Sequence, residues 1–177
     1  MVEPGRKLAV VVVAPRGYQD LELKGALGAL EEQGYGAVLA SNEVGQCTGA
    51  LGGTVQAELA LRGVKVHEFD RVAFIGGPGS RVLFEDADAH RVAREFASAG
   101  KVVGAICLAP TILAVAGVLK GHRATVWTSA DQKQARVLES HGATYTGEPV
   151  TVSGQFVTAN GPSVSARWGE AFAKLQP

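Results

Sequence analysis

One of the chain's two cysteines, Cys107, stands where a β-branched apolar run, KVVGAI (101–106), gives way to a helical pattern, LAPTILAVAGVL (108–119). A thiol at a strand-to-helix corner has the placement of a nucleophile elbow. There it meets unpaired backbone N–H groups and the positive end of a helix dipole, both of which favour thiolate. The flanking glycines of the usual elbow are missing, because the local pattern is Ala105-Ile106-Cys107-Leu108-Ala109. The plain alternative is a buried cysteine packing as a small hydrophobe. A second signal is FIGGPGS (74–80), where consecutive glycines at a strand end let N–H groups face a cleft without side-chain obstruction. Gly76 and Gly77 could supply half of an oxyanion hole, with the Leu108 N–H as the other half. The third is YQDLELKG (18–25), which places Glu22 in the opening turn of a helix that follows the first strand. A carboxyl there can point at the strand ends, although a lone Glu on a helix is ordinarily solvated.

These residues need a scaffold that brings strand ends together. LAVVVVA (8–14) reads as a strand covered on both faces, followed by a helix over 20–34 with Leu21, Leu23, Leu27 and Leu30 at helical spacing. Strands follow at 36–41, 71–77, 101–106 and 123–128, and helices at 86–100, 108–119, 129–142 (with Ser129 as cap) and 163–176. Gly-rich segments at 43–58 and 149–160 read as hairpins, the second turning at Ser153-Gly154. Alternating apolar strands and helices predict one doubly wound α/β domain over residues 1–177, flavodoxin-like, with a mostly parallel sheet and helices on both faces. Ligands in such folds sit at the carboxyl ends of the strands. Those ends are Ala14-Pro15-Arg16, Gly76-Gly77-Pro78-Gly79 and Cys107.

Composition narrows the function. Of the 177 residues 46% are hydrophobic and 23 are Gly, and 17 Lys+Arg balance 17 Asp+Glu. Zero formal net charge gives no reason to expect nucleic acid or an anionic membrane as partner. Two cysteines and four scattered histidines (67, 90, 122, 141) supply neither a disulfide framework nor a metal-ligand spacing, so no metal is expected. The first apolar run is short for a secretory core and lacks a cleavage site, and no run approaches 18 apolar residues. A cytoplasmic setting is the expectation. Cys47, in GQCTGALGG, is expected near the surface as an incidental thiol or with a secondary redox or interface role, and Trp168 as packing.

Taken together, DLEL after the first strand, FIGGPGS, GAICLAPTILAVAGVLKG and VTANGPS give the chain a resemblance to the DJ-1/PfpI family of the glutamine-amidotransferase-like superfamily. It covers essentially the whole chain, and the elbow block A-I-C-x-x-P with I-L-x-x-A-G-x-L-x-G is its specific part. The resemblance implies that Cys107 is a nucleophile or redox centre, that Glu22 lies against it, and that Gly77 and Leu108 supply oxyanion donors. It implies a homodimer; no cofactor is expected. A carboxylate would repel a thiolate, so the pair favours thiolate only if Glu22 is protonated and donates to sulfur, the two titrating together. Cys107 then attacks a carbonyl, the N–H groups hold the oxyanion and Glu22 shuttles protons.

The departures are informative. Leu108 stands where protease-like relatives carry His, and Trp127 and Thr128 stand where others carry one. His122, in LKGHRA, reads as an exposed turn. Without a basic partner, attack on a peptide bond is hard. The expectation is therefore a cysteine-dependent enzyme acting on small reactive carbonyls or glycated compounds, glyoxalase III-like or deglycase-like. Two alternatives remain: a non-enzymatic redox sensor or chaperone-like protein oxidised at Cys107, and an intracellular cysteine peptidase of the PfpI type.

Overall fold

The structure, a computed structural model, describes residues 4–177. In chain order its elements are β1 (Leu8–Val12), β2 (Arg16–Tyr18), α1 (Asp20–Glu32), β3 (Gly36–Ser41), β4 (Gly45–Gly49), β5 (Thr54–Ala57), β6 (Leu59–Ala60), β7 (Arg71–Phe74), α2 (Ala87–Ser98), β8 (Val102–Ile106), α3 (Pro110–Ala116), β9 (Arg123–Ala124), α4 (Lys133–Ser140), β10 (Thr144–Tyr145), β11 (Val150–Ser153), β12 (Phe156–Ala159) and α5 (Ser165–Lys174). A seven-stranded sheet runs β11-β12-β8-β7-β1-β3-β6. Every neighbouring pair in it is parallel except β11–β12, the antiparallel hairpin at one edge, which turns at Gly154 as expected.

The strand β1 explains why helices cover both faces. Ala9, Val10, Val11 and Val12 are all fully buried, and alternate side chains go to opposite sides. Val10 and Val12 join Phe74, Phe96, Ile112 and Leu138 under α2, α3 and α4. Ala9 and Val11 join Leu23, Leu30, Trp168 and Phe172 under α1 and α5. Trp168 is packing, as expected: it is fully buried, and its indole N–H donates to the Val157 carbonyl at 3.1 Å. The hairpin over 43–58 forms as β4–β5, and β2 adds to it to make a separate three-stranded sheet.

The strand expected over 71–77 stops at Phe74, and three other expected elements differ more in extent. Only Arg123–Ala124 of the expected strand 123–128 is a strand, and it pairs with β10 outside the main sheet. β12 already has β8 and β11 as neighbours, which leaves no place there for another strand. The Thr125 N–H donates instead to the Thr158 hydroxyl at 3.0 Å, and the Trp127 N–H to the Cys107 carbonyl at 2.8 Å. The helix expected over 129–142 starts at Lys133, after Gln132 in the left-handed region at φ 60°. Ser129 is not its cap; its N–H and hydroxyl both meet the Gln134 side chain. The helix expected over 108–119 is confined to α3, because Cys107–Ala109 form a turn and Gly117 ends it at φ 87°.

α1 and α5 cross at Gly25 and Gly169. A Cβ on Gly169 would lie 2.4 Å from the Gly25 carbonyl oxygen. Helix propensity alone favours Gly169→Ala by about 1 kcal/mol. The crossing predicts the opposite sign, a loss of about 1–3 kcal/mol through overpacking, which urea denaturation of the two proteins measures.

Candidate functional site

The site is assembled where β1, β7 and β8 end. At Cys107 the chain turns out of β8 with φ 63°, a left-handed conformation that costs a non-glycine residue roughly 1–3 kcal/mol. Two hydrogen bonds hold it there. The Cys107 N–H donates to the Ala159 carbonyl at 2.9 Å, and its own carbonyl accepts from Trp127. The thiol is thereby turned off the strand line, at the elbow the sequence predicted, and Cys107 is only 9% exposed.

α1 carries Glu22 to the same point. Gln19 caps the helix, its side-chain oxygen accepting from the Leu21 N–H at 3.1 Å. The Gln19 N–H donates to the Gly76 carbonyl at 2.9 Å, which ties the start of α1 to the end of β7. The result inverts the ordinary polarity of a helix surface: Leu21 is 50% exposed and Glu22 is completely buried. Glu22 Oε1 accepts from the Gly76 N–H at 3.0 Å, while Oε2 is buried without a partner in hydrogen-bonding geometry. Burial raises the Glu22 carboxyl to about 8, against the smaller lowering influence of the Gly76 N–H and the Cys107 thiol. Glu22 therefore holds its proton at neutral pH.

Gly76 allows this meeting. A Cβ there would lie 2.4 Å from the Ile106 carbonyl oxygen, 2.6 Å from Cys107 Cβ and 2.8 Å from Glu22 Oε1. Its N–H is spent on Glu22, so the oxyanion role expected of Gly76 is replaced by that of holding the carboxyl. The N–H groups of Gly77 and Leu108 both act on the Cys107 sulfur. They pull its titration down, but burial, and after it the charge Glu22 would carry, push the thiol up. Helix-start donors alone, on which the sequence argument for a thiolate relied, are outweighed by burial. The two groups lie against each other and a charge on either raises the cost of charging the other, so they titrate as one unit.

A cleft of about 270 Å³ opens onto the thiol, lined by Gln19, Gly77, Pro78, Arg81, Cys107, Leu108, Trp127 and Pro162. The sequence analysis missed Arg81, Gln19 and Pro162 as cleft residues. Only adjacency to GGPGS could have pointed to Arg81, three residues after Pro78 in a 3-10 turn.

The DJ-1/PfpI family model matches residues 7–175. The chain belongs to the DJ-1/PfpI family. Among its relatives, a protein named deglycase from Thermococcus kodakarensis is 33% identical over 170 residues, covering 95% of this chain and 99% of that one. A glutathione-independent glyoxalase of Caenorhabditis elegans is 24% identical, covering 90% of this chain and 83% of that one. Among solved structures, a ThiJ/PfpI domain protein from Brachyspira murdochii superposes with a TM-score of 0.89 at 31% identity, covering 96% of each chain.

In this member of the DJ-1/PfpI family no histidine lines the cleft. His122 is half-buried rather than exposed, with Nδ1 3.1 Å from the Ser153 hydroxyl and its ring edge-on to Phe156 at 4.7 Å. Cys47 is also not at the surface; it is 1% exposed, so the expected surface role is withdrawn. No cluster of three or more His, Cys, Asp or Glu side chains suited to a metal occurs among the described residues, and no helix among them is long and apolar enough to cross a membrane.

The Glu22 proton has a measurable signature in stability. Its folded titration point, about 8, lies above the ordinary value of 4.5. Between these values the folded state binds more protons than the unfolded state, so stability falls as pH rises through that window. Thermal unfolding of wild type across pH 5–9 is expected to show that decline, and Glu22→Gln to flatten it.

Proposed function

We propose that the protein is a cysteine-dependent enzyme acting on small reactive carbonyls or their glycation adducts, with Cys107 as nucleophile and Glu22 as proton shuttle. The observation that carries this reading is the buried Glu22 carboxyl, held by the Gly76 N–H beside the Cys107 thiol and protonated at neutral pH. Relatives named deglycase and glyoxalase support the substrate class. A cleft of about 270 Å³ suits a small molecule better than a length of polypeptide, and with no histidine there the peptidase reading loses ground.

The chemistry closes without a cofactor. The Cys107 sulfur forms a C–S bond to the aldehyde carbon, and the carbonyl π pair moves to oxygen. The N–H groups of Gly77 and Leu108 receive that oxyanion, and the pair's proton passes to it, leaving Glu22 as carboxylate. With a 2-oxoaldehyde, Glu22 then takes the hydrogen from the former aldehyde carbon as a proton. Its return to the neighbouring carbon, with the hydroxyl proton passing to that carbon's oxygen, gives a thioester. Water cleaves the thioester to a 2-hydroxy acid and restores the thiol. The sequence is redox-neutral.

Methylglyoxal consumption with lactate quantified tests the reading. Wild type is expected to turn over, Cys107→Ser to fall to background, and Glu22→Gln to lose about 10²–10⁴-fold, the range of a general acid–base. Consumption of at most one equivalent per chain would contradict it.

The absent histidine favours a second reading, in which Cys107 is a redox sensor rather than a turnover nucleophile. Intact mass after mild peroxide separates the two. Addition of two oxygens confined to Cys107, in a protein that makes no lactate, supports the sensor.

A further inference from the structure

The mechanism above leaves one cleft residue unused. Arg81 lines the cleft over Cys107 and also a neighbouring hollow of about 180 Å³, so the two spaces adjoin at its side chain. It is exposed and takes part in none of the ion pairs among the described residues. Glu85, four residues on, shares the hollow without pairing with it.

Phe84, Val115 and Val137 make much of the hollow's wall apolar, and its charged side chains favour an anion. Lys133 supplies a second cation, so two positive side chains face one carboxylate. Thr111 lines it from α3 with 3% exposure, and its hydroxyl oxygen is buried with no hydrogen-bond partner. An unpaired buried hydroxyl costs about 1–3 kcal/mol, which an incoming acceptor would recover. The hollow far exceeds the roughly 10–15 Å³ that one water requires. The cleft side is largely apolar, with Pro78, Leu108, Trp127 and Pro162 around the thiol. A ligand with a carbonyl at one end and an anion at the other would therefore be oriented by its charge.

We propose that Arg81 is a specificity-determining residue that selects carbonyl compounds bearing a carboxylate or phosphate, holding the anionic group where the cleft meets the Thr111–Lys133 hollow. Glu22, with its titration raised to about 8, adds no second negative charge beside the sulfur at neutral pH. The inference names the substrate class of the site under Proposed function and rests on that reading.

The test compares two electrophiles of similar size, anionic iodoacetate and neutral iodoacetamide, with alkylation at Cys107 resolved from Cys47 by peptide mass. The readout is the ratio of the two rates, referred to the same ratio at Cys107 in the denatured chain. Wild type is expected to favour iodoacetate about tenfold over that reference, the scale of one charge-assisted hydrogen bond. Arg81→Met should return the ratio to the reference, and Arg81→Lys should keep part of it. Inorganic phosphate should slow iodoacetate labelling of wild type, and Thr111→Val should weaken that protection. A ratio indifferent to Arg81→Met, or a Cys107 inert to both reagents, overturns the proposal. Failure of the catalytic reading shows differently: the ratio still depends on Arg81 while methylglyoxal turnover survives Cys107→Ser.

Discussion

A carboxyl group completely buried, with one N–H donor and one oxygen left unpartnered, cannot hold a negative charge cheaply. It keeps its proton instead, and the rest of the site follows from that. A charged Glu22 would repel a thiolate at Cys107. A neutral one can give a proton to sulfur or to an oxyanion formed there, and can take one back. The burial that raises Glu22 also raises the thiol, so the pair behaves as one titrating unit. No histidine lines the cleft, so in the proposed mechanism it is this pair that has to give and take the proton.

The fold exists, from the site's point of view, to make that burial unavoidable. Parallel strands end together, so the corner after β8 and the glycine turn after β7 lie side by side. The hydrogen bond from Gln19 to Gly76 fixes where α1 begins, and the first turn then delivers residue 22, not residue 21, to the interior. Gly76 lacks the Cβ that would collide with Ile106, Cys107 and Glu22 at once. The strained φ of Cys107 persists because Ala159 and Trp127 hold its peptide from both sides.

Much of this was legible in the chain. Runs such as LAVVVVA admit only a strand covered on both faces, which leads to the parallel sheet and then to strand ends as the place to look. The elbow at Cys107 followed from an apolar β-branched run meeting a helical one. Glu22 was harder, since LEL on a helix reads as leucines inside and Glu outside; its place in the opening turn of the first helix made it a candidate, and the family resemblance raised it above the solvated alternative. The short β9 could not be read from RATVWT, because β-branched residues do not reveal that β12 already has two neighbours. The spent N–H of Gly76 and the place of Arg81 depend on side-chain geometry across 54 and 26 positions of sequence, Glu22 to Gly76 and Arg81 to Cys107, which local pattern does not encode.

The measurement that bears most directly on this account is the protonation of Glu22 itself, read as the infrared C=O stretch of a protonated carboxyl in the difference between wild type and Glu22→Gln as pH is raised. The account predicts a protonated-acid band at pH 6.5 that disappears with a midpoint near about 8. A band already absent at pH 6.5, with a carboxylate signal in its place, would contradict it.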